Sequence, residues 1–295
     1  MTFRGLKKGD RIGFIAPAGK IKREDIKNSI EIFQNKGFKI TLSDHLLGEY
    51  RYFSGTIEER LQDIHKFLED PNIRGLYAVR GGMGSLQLLP ALNYGLWKKT
   101  KKILIGVSDV TALQWAVWAH ANVVSFSGMA AATQLRDNNP YVDMFFNHLL
   151  GIKKNITEAD LVNEELITVR GGQSKGVLLG GTLSVLNTLL GTPYYPVLNK
   201  IILYIEDVNE PLYRIERALL QLKLAGMMNY ITGVIFGRFQ LNNEDIRIWP
   251  ELSYLFPDKI PIVLNMPYGH NPKSCALPLG ISARLSTNPF EISWD

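Results

Sequence analysis

The chain has 295 residues, 46% of them hydrophobic and 21% charged, which is the composition of a globular protein with room for one large domain or two ordinary ones. Thirty-three basic residues against 28 acidic ones give a formal net charge of +5, but the basic residues are scattered, so the excess reads as a solvated surface and not as a nucleic-acid face. No run of about 18 apolar residues is present, which argues against a helical membrane span, and the single cysteine, Cys275, excludes an internal disulfide and fits a reducing compartment. The opening stretch from Met1 to Asp10 lacks the apolar core of a secretory signal, so a cytoplasmic location is expected.

In chain order, Asp10 to Ala16 reads as a strand, Glu24 to Lys36 as a helix and Lys39 to Ser43 as a second strand. Ile57, Leu61, Ile64 and Leu68 carry helical spacing; Gly75 to Val79 forms a third strand and Ile103 to Ile105 a fourth. Strands alternating with helices of this length imply a doubly wound, mostly parallel α/β sheet, flavodoxin-like, with helices on both faces. In such sheets ligands bind beyond the carboxyl ends of the strands. Two segments lie there: Arg80-Gly81-Gly82-Met83-Gly84 and Gly106-Val107-Ser108-Asp109. The second leaves almost no room to turn before a helix over Thr111 to Ala119, so Ser108 should project its hydroxyl beside the free N–H groups of that helix start. Such donors can hold an oxyanion. The five-residue elbow with two glycines is incomplete here.

The polar run from Gly151 to Gly172 reads as a linker between a domain over 1–150 and a second over 173–295. Beyond it, Lys175 to Leu179, Ile201 to Ile205 and Ile231 to Phe236 read as strands, and Thr182 to Leu190 and Tyr213 to Leu224 as helices. The tail, broken by Pro, Gly and Asn, suggests turn-linked strands, so this half is expected to be a smaller, mixed α/β domain rich in strands. No internal repeat or low-complexity tract appears.

A serine nucleophile needs a base, usually histidine, and five are available. His120 lies about 18 Å along the helix that starts beside Ser108 and is too far away. His65 and Glu69 are spaced to share a metal but have no third ligand nearby, so a solvated helix pair is the stronger reading; no metal site and no cofactor are expected. His45 sits near a polar helical face, and His148 closes a helix where the dipole favours a cation. His270 stands in a rigid loop, Asn265-Met-Pro-Tyr-Gly-His-Asn-Pro-Lys273, and reads equally as a catalytic side chain or as a turn histidine facing water. For the orienting carboxylate, Glu206 and Asp207 close an apolar strand, and capping of the helix after Pro211 suits Asp207 or Glu210 better than Glu206. The order Ser108, Glu206, His270 is that of many hydrolases.

With these stretches in view, the chain resembles the serine LD-carboxypeptidases, the family of muramoyltetrapeptide carboxypeptidase and the microcin C self-immunity proteins. The resemblance runs over nearly the whole chain. It rests on Val79-Arg-Gly-Gly-Met-Gly-Ser85, Gly106-Val-Ser-Asp-Val-Thr-Ala-Leu113, Gly180-Gly-Thr-Leu-Ser-Val-Leu186, Leu190-Gly-Thr-Pro193, Ile205-Glu-Asp-Val-Asn-Glu-Pro-Leu-Tyr-Arg214, Gly269-His-Asn271 and Leu277-Pro-Leu-Gly280. It implies Ser108 as nucleophile, His270 as base then acid, Glu206 as orienting carboxylate, and the backbone N–H groups of Gly82 and Asp109 as oxyanion hole. It also implies a cytoplasmic murein tetrapeptide as substrate, loss of its terminal D-alanine, and a homodimer. The alternatives are a microcin-type immunity hydrolase, disfavoured by the lack of an obvious inserted nucleotide-holding loop, and a non-catalytic binder of peptidoglycan fragments. A phosphate-cradling role for the glycine run lacks the accompanying Gly-Lys-Ser/Thr, and a zinc carboxypeptidase lacks clustered ligands. Arg80 and Arg238 are candidates for the substrate carboxylate, with a structural role favoured for Arg238. Two departures touch the pocket wall: Met83 stands where an aromatic residue is frequent, and Ser127-Gly128-Met129 replaces a His-Gly-Pro-like segment. Cys275, five residues past His270, reads as a small buried thiol.

Overall fold

In the computed structural model, which describes residues 3–162, 164–197, 199–242, 244–246 and 250–295, the apolar runs of the first half align side by side. They are β1 (Arg11–Ile15), β2 (Lys39–Leu42), β3 (Ile73–Ala78), β4 (Ile103–Gly106) and β5 (Ser125–Ser127), parallel and in the order 2-1-3-4-5. That order is the flavodoxin-like one. The connections are α1 (Arg23–Asn35), α2 (Ile57–Glu69), the short α3 (Ser85–Leu88), α4 (Tyr94–Thr100) and α5 (Thr111–Ala121), and α6 (Val142–Leu149) follows β5. Helix α2 starts where its sequence provides a capping box: Thr56 Oγ1 accepts from Glu59 N–H, and Glu59 Oε2 accepts from Thr56 N–H.

The segment 151–172, expected as a linker, carries β6 (Asn155–Thr157) and β7 (Ile167–Arg170), both hydrogen-bonded into a second sheet. A polar, weakly periodic stretch can still supply short edge strands, because an edge strand has one side facing water. The second sheet continues with β8 (Gln173–Thr182), β9 (Ile201–Val208), β10 (Ile231–Leu241), β11 (Glu244–Ile246) and β12 (Ile262–Leu264). The tail adds β13 (Leu277–Leu279), β14 (Ile281–Thr287) and β15 (Phe290–Trp294). Here β8, β9, β10 and β12 run parallel, with α7 (Leu183–Leu189) and α8 (Leu212–Leu224) crossing between the first three, and antiparallel strands flank them. The β13 strand crosses over to pair with β5, closing the edge of the first sheet with residues from the far end of the chain.

Strand alternation sorts the core into two layers. Leu76, Ala78 and Leu104 face α2, α4 and α5, while Tyr77, Val79, Ile103 and Ile105 face α1 and α6. Both layers run on into the second half, where Leu203 and Ile205 join the first and Ile202 and Tyr204 the second. The two halves therefore share their hydrophobic interior. Trp115 of α5 crosses the boundary, donating its indole N–H to the Gly180 carbonyl at 2.8 Å. No helix among the described residues is long and apolar enough to cross a membrane.

His148 departs from the expected helix-end cation. It is fully buried, packs edge-on to Trp294 and donates from Nε2 to the Asn155 carbonyl at 3.3 Å. Burial pushes its pKa down to about 4, outweighing the helix-end dipole. The unfolded chain then binds more protons than the folded one between about pH 6.5 and about pH 4, so stability falls as the pH falls through that window. Chemical denaturation of the wild type and of His148→Asn over this range should show the wild type losing about 3 kcal/mol more than the variant.

Candidate active site

Every residue of β4 is buried, and the chain must leave the sheet abruptly at its carboxyl end. Val107 is extended, Ser108 takes φ +66°, and a single 3-10 turn (Ser108–Val110) leads into α5. A left-handed serine is unfavourable by roughly 1–2 kcal/mol, and its position at a strand-to-helix corner is the geometry of a nucleophile elbow. The glycine loop after β3 packs against it. A Cβ on Gly81 would stand 2.5 Å from the Ser108 Cβ, so only glycine lets the two backbones meet here. Gly82 follows with φ +104°, lying over Gly19.

That loop has a buried anchor the sequence reading missed. Arg60 donates from Nη1 to the carbonyls of Pro17 (2.8 Å) and Gly84 (3.1 Å), from Nη2 to Gln87 (2.8 Å), and stacks over Phe53. Its signal was available: Arg60 interrupts the apolar stripe of Ile57, Leu61, Ile64 and Leu68, where a charge must find partners inside the protein. Beside it, the Asp109 side chain accepts the Ser85 N–H at 2.8 Å and so is tied to the start of α3. Burial raises its pKa, opposed by the Ser85 bonds and by Arg60.

In the second half, Glu206 stands near the carboxyl end of β9 and is completely buried. Its Oε2 lies 2.7 Å from His270 Nδ1, and its Oε1 accepts from Thr182 Oγ1 at 2.5 Å. Thr182 stands opposite Glu206 in the β8–β9 register, which is why the hydroxyl reaches it. Gly269, at φ +134°, brings the His270 loop down onto this carboxylate; a Cβ there would meet Glu206 Oε2 at 2.9 Å. Burial by itself pulls the His270 pKa down, but the charge and hydrogen bond of Glu206, with Asp207 adding, outweigh it and hold the imidazole above the ordinary histidine value. His270 keeps 22% of its side-chain surface, leaving Nε2 as the nitrogen available for proton transfer. The turn-histidine reading fails, because a ring bound to a buried carboxylate is not a solvated turn residue.

The halves meet at this strand end. Thr182 N–H donates to Thr111 Oγ1 at 3.3 Å, and Thr111 lies three residues beyond Ser108 in the same turn. Hydrogen bonds thus link Thr111, at the start of α5, through Thr182 to the Glu206–His270 pair.

The neighbouring acids do other work. Asp207 accepts from Ser184 N–H (2.7 Å) and Ser184 Oγ (3.2 Å), capping α7 and not the helix after Pro211 as expected. Burial, with Glu206 second, raises its pKa to about 6. Glu210, just before α8, pairs with Arg214 of its first turn. Arg238 is committed to Glu164, Asp245 and Asn265. Arg80 is exposed and donates to the Lys20 carbonyl at 2.7 Å. Met83 is 55% exposed on the glycine loop, whereas Ser127 turns inward to pair with the Tyr268 hydroxyl at 2.6 Å. Cys275 is buried, and burial pushes its thiol pKa up. The His65–Glu69 pair is not simply solvated: His65 Nε2 accepts the Asn93 N–H at 3.0 Å. Among the described residues, no cluster of three or more His, Cys, Asp or Glu is arranged to hold a metal ion.

Most of the chain is similar to known proteins. Residues 12–128 match the LD-carboxypeptidase N-terminal domain and residues 175–285 the LD-carboxypeptidase C-terminal domain. The chain is 29% identical to a probable murein peptide carboxypeptidase of Bacillus subtilis, over 96% of this chain and 91% of that one. It is 28% identical to the microcin C7 self-immunity protein of Escherichia coli, over 98% and 94%. The crystal structure of muramoyltetrapeptide carboxypeptidase from Oxalobacter formigenes superposes with a TM-score of 0.80 at 26% identity, covering 96% of this chain and 97% of that one.

The Glu206–His270 pair is open to direct test. In Glu206→Gln the carboxylate charge that favours imidazolium is gone while burial remains, so the His270 pKa should drop below that of the wild type. Titration of the imidazole by NMR reads this, and an unchanged value would remove Glu206 as the partner that sets its proton affinity.

Proposed function

Because the chain belongs to the LD-carboxypeptidase family, we propose that it is a serine-type carboxypeptidase that releases the terminal D-alanine from murein tetrapeptides during cytoplasmic cell-wall recycling. The observation that carries this reading is the buried Glu206 bound to His270 at one strand end, joined through Thr182 to the turn that presents Ser108.

The chemistry is acyl transfer. The Ser108 hydroxyl attacks the amide carbonyl preceding the terminal D-residue, and its proton passes to His270 Nε2. Glu206, on Nδ1, steadies the imidazolium that forms. The oxyanion of the tetrahedral intermediate is held by the N–H groups of Gly82 and Asp109, the latter free because the first N–H groups of a helix lack internal acceptors. His270 returns the proton to the leaving amine as the C–N bond breaks. Water then gives a proton to the same nitrogen as it attacks the Ser108 ester, and His270 passes that proton to Ser108 Oγ as the acyl C–O bond breaks and the shortened peptide leaves. Arg80 supplies the positive group an exopeptidase needs for a free carboxylate; its guanidinium is exposed beside the glycine loop, whereas Arg238 is held in an ion-pair cluster. The same reading carries a homodimer as the working form.

The base must be neutral to act, so kcat/KM should rise with pH through a His270 pKa lying above the ordinary histidine value. On a defined muramyl tetrapeptide, Ser108→Ala should lose at least about 10³-fold in kcat with binding retained. Product analysis by mass spectrometry and D-alanine release decides the substrate. Cleavage of a processed peptide-nucleotide microcin in place of the tetrapeptide would favour the immunity-hydrolase reading, to which 28% identity over 98% of the chain gives weight. Full turnover by Ser108→Ala would overturn the nucleophile, and tight binding of the fragment by a wild type without turnover would favour a non-catalytic binder.

A further inference from the structure

A hydroxyl and an imidazole on different halves of a chain must be aligned to within about 0.5 Å for efficient proton transfer. Glu206 fixes one nitrogen of His270, but the loop that carries the ring follows β12 and has no regular structure of its own between Asn265 and Ala276. Something must hold that loop to the frame that presents Ser108.

We propose that Gln134, in the turn after β5, is the positioning residue that sets His270 against the nucleophile. Its Nε2 donates to the carbonyls of Gly269 and Asn271 (3.0 Å for the latter), the two residues that bracket His270. Its Oε1 accepts the Ala130 N–H at 2.8 Å. Both donors of the amide and its acceptor are therefore engaged, with the side chain 1% exposed. The turn that carries Gln134 is tied to the nucleophile's half at several points. Ala131 N–H donates to the Val79 carbonyl at 3.1 Å, directly before the glycine loop. Ser29 Oγ of α1 donates to the Ala131 carbonyl at 2.8 Å, and Gly128 N–H donates to the carbonyl of Gly106, two residues before Ser108, at 3.0 Å. Asn139 extends the clamp, bridging the carbonyls of Gln134 (2.9 Å) and Ser274 (3.2 Å), while Ser274 Oγ accepts the Gly269 N–H at 3.0 Å. The His270 loop is thus gripped from the first half by two buried amide side chains, and among the described residues Gln134 alone holds both sides of the histidine.

This assignment rests on the reading of His270 as the base. Gln134→Leu keeps the volume and removes both donors. In the folded variant, kcat on the tetrapeptide should fall by about 10²-fold, with KM within about threefold of wild type. A role confined to stability would instead lower the melting temperature and leave kcat per folded molecule unchanged. A readout independent of turnover is the NMR titration of His270: as the loop relaxes from Glu206, its pKa should move down from the wild-type value. A folded Gln134→Leu protein with wild-type kcat, or with a wild-type His270 titration, overturns the proposal. Should Gln134→Leu not fold, Gln134→Glu, which keeps the acceptor for Ala130 N–H and lacks the paired donors at neutral pH, is read by the same measurements and the same criteria. A wild type that releases no D-alanine sinks the substrate assignment, and the His270 titration then decides the role of Gln134 by itself.

Discussion

A carboxylate with no exposed surface governs this molecule. Taking an isolated charge such as that of Glu206 out of water costs several kcal/mol unless partners replace the water. Here the partners are His270 Nδ1 and Thr182 Oγ1, and each comes from a separate segment. The strand register of β8 against β9 and the descent of the His270 loop onto β9 are both needed to satisfy one side chain. The pairing that stabilises the acid also raises the proton affinity of the imidazole. Stability and the proton affinity of His270 draw on the same hydrogen bonds.

The first half contributes a second constraint. Ser108 is held in a left-handed backbone conformation by sterics around it: Gly81 is pressed against its Cβ, and Arg60 and Asp109 tether the loop and helix start on either side. Arg60 is another buried charge, and its partners are backbone carbonyls of Pro17 and Gly84, so its desolvation is offset by bonds that also shape the glycine loop. The pattern repeats through the site: a buried polar group is satisfied by the very backbone whose position matters. Networks of this kind rigidify only when every member is paired.

Because both hydrophobic layers continue from one sheet into the other, the halves do not behave as beads on a string. The crossing of β13 onto β5 makes the same point, since the last strand of the first sheet comes from beyond His270. A segment with the composition of a linker, residues 151–172, takes part through β6 and β7. The geometry between Ser108 and the Glu206–His270 pair is consequently a property of the shared core, refined by the Thr111–Thr182 and Gln134 contacts.

Much of this was legible in the residue order. Hydrophobic period alone marked β1, β3, β4, α1 and α2 to within about two residues, because burial on one or both faces leaves a local imprint. The turn at Ser108 and the strand end at Glu206 were legible for the same reason: short apolar runs end abruptly at polar residues. The roles of His148, Asp207 and His65 were not, since each depends on a partner distant in sequence: Trp294 for the first, Ser184 for the second, Asn93 for the third. Arg60 left a faint trace as a charge on an apolar stripe, whereas Gln134 left none, because a turn glutamine looks alike whether it faces water or two buried carbonyls. Periodicity along a chain records which face of an element is dry. Which polar groups meet inside that dry space is decided by strand register and domain docking, and those exist only once the chain has closed on itself.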